Sequence, residues 1–220
     1  TTLLRSMLVQ EAAAYGSADA RAFGEGLFWA HVREGAEIDP NFRRAAFQAG
    51  ANANETGYQE VLGMFRNATD PALVRELTDA LASVDKADLV ERTLELAVSD
   101  DVRAQDTVYL IVDVSRSSPA GLSLAWQMVQ NHFEVIAAHG GGVGAAGAGM
   151  SPLIQRVASQ FASGTEISQV RHLFRTYGEE YGLVERLMDQ AVEAIESNRA
   201  WLDLNKDDLC AWVAAKAGGP

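Results

Sequence analysis

Asp70-Pro71-Ala72-Leu73-Val74-Arg75-Glu76-Leu77-Thr78-Asp79-Ala80-Leu81-Ala82-Ser83-Val84 is the stretch that decides the fold class. An aspartate side chain satisfies the orphan amides of a helix start, and proline at the first helical position loses nothing because that amide is unpaired anyway. Leu73, Leu77, Leu81 and Val84 then recur at helical spacing, which gives one apolar face opposite a charged one. The same pairing stands at Asp39-Pro40, Ser118-Pro119 and Ser151-Pro152, and the remaining proline is the terminal Pro220. Each cap contributes about 1 kcal/mol, and the four pairs predict four helix starts.

Periodicity fills the intervals. Val90, Leu94 and Ala97 form an apolar stripe, as do Ile154, Val157, Ala158 and Phe161, then Val170, Leu173, Phe174 and Tyr177, then Val184, Leu187, Met188, Ala191, Val192 and Ile195. Thirty-six alanines against 6 isoleucines lean the same way. The expectation is roughly eleven or twelve helices of about 12–20 residues joined by short turns, so that successive helices run antiparallel. This is an all-α, right-handed α-α superhelix of antiparallel hairpins, HEAT/armadillo-like, with one domain over residues 1–217 and a tail at 218–220. One segment reads differently. Val108-Tyr109-Leu110-Ile111-Val112 is a β-branched apolar run that alone suggests a buried strand, but no second strand exists to pair with it. It is assigned to a doubly buried inner helix.

The 220 residues, 48% hydrophobic and 22% charged with one cysteine, describe a soluble globular domain that buries roughly 70% of its unfolded surface. A single cysteine, Cys210, excludes a disulfide framework and a cysteine-rich zinc site; beside Leu209 and Trp212 it reads as a small buried hydrophobe. The net charge of −12 is spread along the chain: residues 1–70 carry 9 acids and 6 bases, 71–164 carry 11 and 6, and 165–220 carry 10 and 6. No basic patch tracks a phosphate backbone, so nucleic acid is not an expected partner, and a cationic group is the more natural visitor. The longest uncharged stretch, Val135 to Gln155, is broken by six glycines and Pro152 and does not read as a membrane span. Thr1 stands where an initiator Met or a leader would, so the chain reads as a fragment or a processed product.

Motifs that carry chemistry are sparse. Gly142-Val143-Gly144-Ala145-Ala146-Gly147 matches a dinucleotide-binding fingerprint formally, but that motif needs a strand before it and a helix after it, and residues 126–138 read as helix. A Gly/Ala loop is the better reading, and a nucleotide-binding enzyme is a distant rival. His31, His132, His139 and His172 form no pair at zinc-ligand spacing, so no cofactor or metal is expected within this chain. Asn54-Glu55-Thr56 and Asn67-Ala68-Thr69 fit the glycosylation sequon, a short pattern that arises by chance. The most informative motif is Val102-Arg103-Ala104-Gln105-Asp106, placed after Ser99-Asp100-Asp101, which can end one helix and cap the next. Its structural reading is capping with a local Arg103–Asp106 ion pair; its functional reading is a helix start that lines a concave face and meets a partner.

Several motifs together say more. Phe42-Arg43-Arg44-Ala45-Ala46-Phe47, Phe65 through Asn67-Ala68-Thr69 to Leu81-Ala82, Leu94-Glu95-Leu96-Ala97 and Val102 to Asp106 occur in order. Ser115 to Gly121, Ala125-Trp126, Asn131, Glu193, Ile195, Asn198, Trp201-Leu202 and Trp212 follow. As a set spanning Leu3 to Trp212 they resemble the C-terminal helical domain of the zinc aminopeptidases that include aminopeptidase N, the endoplasmic-reticulum aminopeptidases and puromycin-sensitive aminopeptidase. Arg103, Gln105, Asp106 and Thr107 look most like the puromycin-sensitive, cytosolic branch, which implies a cytoplasmic location. His132 stands where the family usually has tryptophan.

The resemblance implies a non-catalytic lid that closes over the active site, forms part of the substrate cavity and controls peptide access. The zinc and its His-Glu-x-x-His helix belong to the catalytic domain of the same parent chain, so the fragment alone is expected to be inactive. Its implied partners are peptide substrates and that catalytic domain, with neither nucleic acid nor membrane. Arg103, Gln105 and Asp106 are the cavity-wall candidates. Arg116 is either a contact for a peptide carboxylate or a base at a helix C-terminus. The acidic net charge would draw a peptide's cationic amino terminus inward, and Trp201 and Trp212 would pack the last hairpin. The rival reading is an independent α-solenoid protein-interaction module.

Overall fold

The computed structural model describes residues 2–140 and 146–217. Twelve helices and no strand occur among them, so the chain is all-α. Val108 to Val112 lies within a helix. The fingerprint glycines Gly142 and Gly144 fall outside the described residues.

Two compact units divide at Met128/Val129, inside the eighth helix. The first contains α1 (Thr2–Ala14), α2 (Ala18–Glu34), α3 (Pro40–Ala53), α4 (Glu55–Asn67), α5 (Pro71–Ala82), α6 (Ala87–Ala97), α7 (Ala104–Ser117) and most of α8 (Pro119–Asn131). Three of the four proline pairs start helices as expected. Asp39 accepts from the Asn41 amide at 2.9 Å, Asp70 from Ala72 at 3.2 Å, and Ser118 Oγ from Gly121 at 2.9 Å. In this unit α3 packs against α1, α2, α4 and α5, and α7 packs against α5 and α6.

The centre of the first unit is close helix–helix contact. Phe28 of α2 is fully buried with its ring face on Gly50 of α3, and Gly57 of α4 meets the Gly50 carbonyl from the other side. A Cβ at either glycine would collide with these neighbours. Behind them Tyr58 is buried and shares a 3.1 Å hydrogen bond with Thr93, whose hydroxyl also reaches the Leu81 and Leu89 carbonyls. Desolvation raises the Tyr58 phenol above its ordinary range, and the Thr93 hydrogen bond opposes that rise. Asn52 ties the α5–α6 turn to α3: its amide nitrogen donates to the Ser83 carbonyl at 3.1 Å, and its oxygen accepts from the Asp85 amide at 3.1 Å.

The second unit contains α9 (Phe133–His139), α10 (Ala146–Ala158), α11 (Gly164–Tyr181) and α12 (Glu185–Ala217). Here α10 packs on α9, α11 and α12, and α11 packs on α12. Asn198 repeats the device of Asn52, donating to the Ser159 and Phe161 carbonyls, both at 2.9 Å, and so fixing the α10–α11 turn. Phe133 stacks on Tyr177 at 4.0 Å.

Four expectations are corrected. Ser151-Pro152 does not start a helix: α10 begins at Ala146 and Pro152 lies inside it. The buried Ser151 hydroxyl instead accepts from the Val184 amide at 3.0 Å, capping the turn before α12. Helix lengths fall outside the expected span at both extremes: α9 has seven residues, and α12 runs to 33 because no glycine or proline interrupts residues 185–217. Cys210 is exposed rather than buried, and Trp201 and Trp212 are 55% and 61% exposed rather than packed in a last hairpin. The cause is the same: α12 runs on past the helices that cover its first part. Finally, the Val108–Val112 run is not buried throughout, because Tyr109 is 52% exposed on a helix whose Leu110, Ile111 and Val112 are buried.

The glycine contacts make a testable pair. Gly57→Ala should destabilise the chain by about 1–3 kcal/mol, since the added methyl meets backbone that cannot rotate away. Gly63→Ala, on the same helix with open space around it, should stabilise by about 0.5–1 kcal/mol through helix propensity. Urea unfolding midpoints check both; equal effects would refute the α3–α4 contact.

Candidate functional site

A groove of about 470 Å³ opens in the first unit where the end of α4, the start of α5 and the start of α7 converge. Its position follows from local sequence. Asp70-Pro71 sets the first turn of α5, and the preceding Ala68 and Thr69 form one rim. The opposite rim is the 101–103 turn. Ser99 Oγ donates to the Leu96 carbonyl at 2.8 Å and accepts from the Asp101 amide at 3.3 Å, which brings the chain round into α7. The walls are apolar: Phe65, Pro71, Val74, Val102 and Leu110.

Arginines dominate its polar edge, and each has an acidic partner. Arg66 pairs with Asp101 at 2.7 Å and Arg103 with Asp106 at 2.7 Å. Arg75 bridges Asp79 at 3.0 Å and Asp113 at 3.3 Å. Asp79, only 8% exposed, also holds Arg44 at 3.1 Å, so one chain of alternating charge joins α3, α5 and α7 beneath the groove. Asp113 is held above the usual aspartate range. Burial is the main cause, Arg75 opposes it, Asp79 adds to it, and Arg116 and Arg44 relieve it.

Of the residues expected at the site, Arg103 and Asp106 line the groove, and Tyr109 and Leu110, one turn further along α7, line it with them. The local Arg103–Asp106 ion pair of the structural reading is present, but the expected capping is not. The N-cap position of α7 is Arg103 itself, with no side-chain cap, and Asp101 turns to Arg66 instead. Gln105 is exposed and does not line the groove, because one residue along a helix rotates a side chain about 100°. Arg116 is exposed at the other end of α7, about 15 Å from Asp106 at 1.5 Å per residue, and contributes to the field around Asp113. Lining residues comprise three arginines and two aspartates, so the groove is not the acidic surface that the net charge suggested.

Phe65, Arg75 and Tyr109 were not singled out from the sequence for this groove. The one available signal was Arg75 four residues before Asp79, an ordinary ion-pair spacing. The groove lining holds no histidine or cysteine, and the Thr78 hydroxyl donates to the Val74 carbonyl at 2.7 Å. No group of three His, Cys, Asp or Glu side chains converges among the described residues, and the His31 ring is bonded to the Ala36 carbonyl at 2.8 Å.

Comparison with known sequences decides the family. The ERAP1-like C-terminal domain matches residues 1–197. The chain belongs to this family. Human aminopeptidase N is 28% identical over 211 residues, covering 93% of this chain and 21% of that protein. Aminopeptidase M1 of Arabidopsis thaliana is 27% identical over 184 residues, 81% of this chain and 20% of that protein. Bovine (Bos taurus) glutamyl aminopeptidase is 23% identical over 218 residues, 96% and 22%. This ERAP1-like domain therefore spans about one fifth of the length of these curated relatives. It is a C-terminal domain of the aminopeptidase N-like type, and the order of motifs from Phe42 to Trp212 was the signal for it.

The half-buried Asp113, paired with Arg75 of the groove, gives a signed prediction. Because the folded chain binds the Asp113 proton more tightly than the unfolded chain does, ionisation costs the folded state as pH rises upward from the ordinary aspartate value. Asp113→Asn cannot ionise, so its stability relative to wild type should improve between about pH 3 and about pH 7. Urea midpoints at the two pH values check this; a relative improvement on acidification would contradict it.

Proposed function

We propose that this domain belongs to a zinc aminopeptidase, closes over that enzyme's active site, and contributes part of the wall of its peptide cavity. The observation that carries the reading is the groove at the starts of α5 and α7, in which Arg103 and Asp106 flank an apolar trough. Family membership supplies the context. The hydrolytic chemistry, including the zinc, comes from the catalytic domain of the parent, and this chain's part is to bind and to exclude.

An extended peptide presents alternating carbonyls and side chains. Guanidinium groups at the groove edge can donate to the carbonyls or to a terminal carboxylate, while Phe65, Val74 and Leu110 take apolar side chains. Arg103, 73% exposed and held by one partner, is freer to turn toward a peptide than Arg75, which is fixed by two aspartates. Gln105 and Arg116 would meet substrate only outside this groove. A cytoplasmic compartment is part of the proposal, from the resemblance of Arg103, Gln105, Asp106 and Thr107 to the cytosolic branch.

The test uses the full-length parent. Arg103→Ala combined with Tyr109→Ala should raise KM for peptides of about eight residues roughly 5–10-fold while leaving kcat/KM for a single-aminoacyl reporter unchanged, because only the longer substrate reaches the groove. Equal losses on both substrates, or no change on either, would remove the wall assignment. The isolated 220-residue chain should release no product from either substrate.

A further inference from the structure

The arginines of the groove are bound to the chain in two different ways. Arg75 is held at both ends of its guanidinium, Nε on Asp79 at 3.0 Å and Nη2 on Asp113 at 3.3 Å. Arg66 and Arg103 are hydrogen-bonded through Nε alone, to Oδ2 of Asp101 and of Asp106, both at 2.7 Å. The terminal nitrogens of these two make no hydrogen bond to the described residues, and the side chains are 51% and 73% exposed. Arg66 reaches Asp101, which lies two residues before Arg103, so both guanidiniums stand at the same lip. The N-terminus of α7 opens at Arg103 without a side-chain cap and adds a positive partial charge there. Asp101 and Asp106 each offset one arginine, and Asp79 and Asp113 offset Arg44 and Arg75 beneath, which leaves the groove close to neutral on a chain of net charge −12. Open donors therefore decide what it binds. Apolar lining flanks Arg103 along the chain, Val102 before it and Leu110 after it. From Arg103 to Leu110 is about 10 Å, room for about three extended residues.

We propose that the groove selects peptides by an acidic side chain: an aspartate or glutamate of the peptide sets its carboxylate end-on against the terminal nitrogens of Arg66 and Arg103. An apolar side chain two residues away enters the trough of Phe65, Val74 and Leu110, because alternate residues of an extended chain face the same way. A planar carboxylate matches the guanidinium fork, whereas a neutral amide can accept with one oxygen only and a cationic side chain meets like charge. Both arginines are already anchored at Nε, so a ligand orders little that is not ordered before it arrives. The flanking apolar lining favours a side-chain carboxylate over the carboxylate that ends a peptide, since the chain has room to continue on both sides. The inference rests on the reading that this groove takes an extended peptide, and adds which peptide it takes.

Isothermal titration of the 220-residue chain with the acetylated, amidated peptide Gly-Phe-Ala-Asp-Ala-Leu-Gly tests it, against the same peptide with Asn or Lys in place of Asp. Blocked ends leave that side chain as the only difference in charge. The Asp peptide should bind about 10-fold more tightly than the Asn peptide at about 50 mM salt, with the Lys peptide weakest, and the margin should narrow at about 500 mM. The double variant Arg66→Gln/Arg103→Gln should bring the Asp-to-Asn ratio below about 3. Arg116→Gln removes the same charge from the far end of α7 and should keep the ratio of the wild type, which separates a local contact from the general field. Equal affinities for the Asp and Asn peptides overturn the proposal, as does an equal fall in Arg116→Gln. An Asn peptide with a free carboxyl end that binds as tightly as the blocked Asp peptide also overturns it and assigns the arginines to the terminus. Binding without charge preference refutes the selectivity alone, and the KM comparison in the full-length parent decides the wall assignment separately. Absence of binding by every peptide at about 1 mM overturns the proposal as well.

Discussion

Helix α3 can take four neighbours because all of its buried positions except Phe47 are small. Ala45, Ala46, Ala49, Gly50 and Ala51 lie around much of the helix, and helices at the close end of the usual 8–10 Å separation need such small residues between them. Phe28 lies flat on Gly50 while Gly57 meets the Gly50 carbonyl, so α2, α3 and α4 are fixed through one residue. The rest of the first unit inherits its register from that contact. With α4 fixed, Tyr58 reaches Thr93 on α6, and with α3 fixed, Asn52 holds the turn between α5 and α6. Burial of Phe28, Phe47 and Tyr58 supplies the stabilisation, about 1.5–3 kcal/mol for each such side chain.

The same register positions the charges. Arg44 on α3, Asp79 and Arg75 on α5, and Asp113 on α7 can alternate in sign only if those three helices stand side by side. Asp79, almost wholly buried, has two guanidiniums and meets the condition under which a buried carboxylate is tolerated. Asp113 shares one of them and stays partly uncompensated. Fixing Arg75 in this way shapes the groove above it, since an arginine held at two points cannot fold across the apolar trough.

Much of this was legible in the residues. Asp39-Pro40, Asp70-Pro71 and Ser118-Pro119 mark helix starts because capping and proline tolerance are local properties of three or four residues. Ser151-Pro152 has the same letters and lies inside α10, because the Ser151 hydroxyl finds the Val184 amide, thirty-three residues away, a partner no local rule can name. Arg103 and Asp106 were legible as a pair for the same reason that the caps were: three residues separate them. Arg75 and Tyr109 became groove residues only through the approach of α5 to α7. The apolar character of Trp201, Leu209, Cys210 and Trp212 was plain, but burial is a property of neighbours, and α12 outruns its own.

The sequence by itself determined that the chain is helical, where most helices begin, which face of each is apolar, and through an ordered set of motifs which family it belongs to. These follow from short-range hydrogen bonding and from the 3.6-residue period, which act along the chain. Tertiary structure alone decided which apolar stripes are covered and which remain open, which acids share an arginine, and that Gln105 and Arg116 lie apart from the groove that Arg103 and Asp106 enter. Those outcomes depend on distances between residues remote in sequence, set by how closely Gly50 and Gly57 let their helices approach.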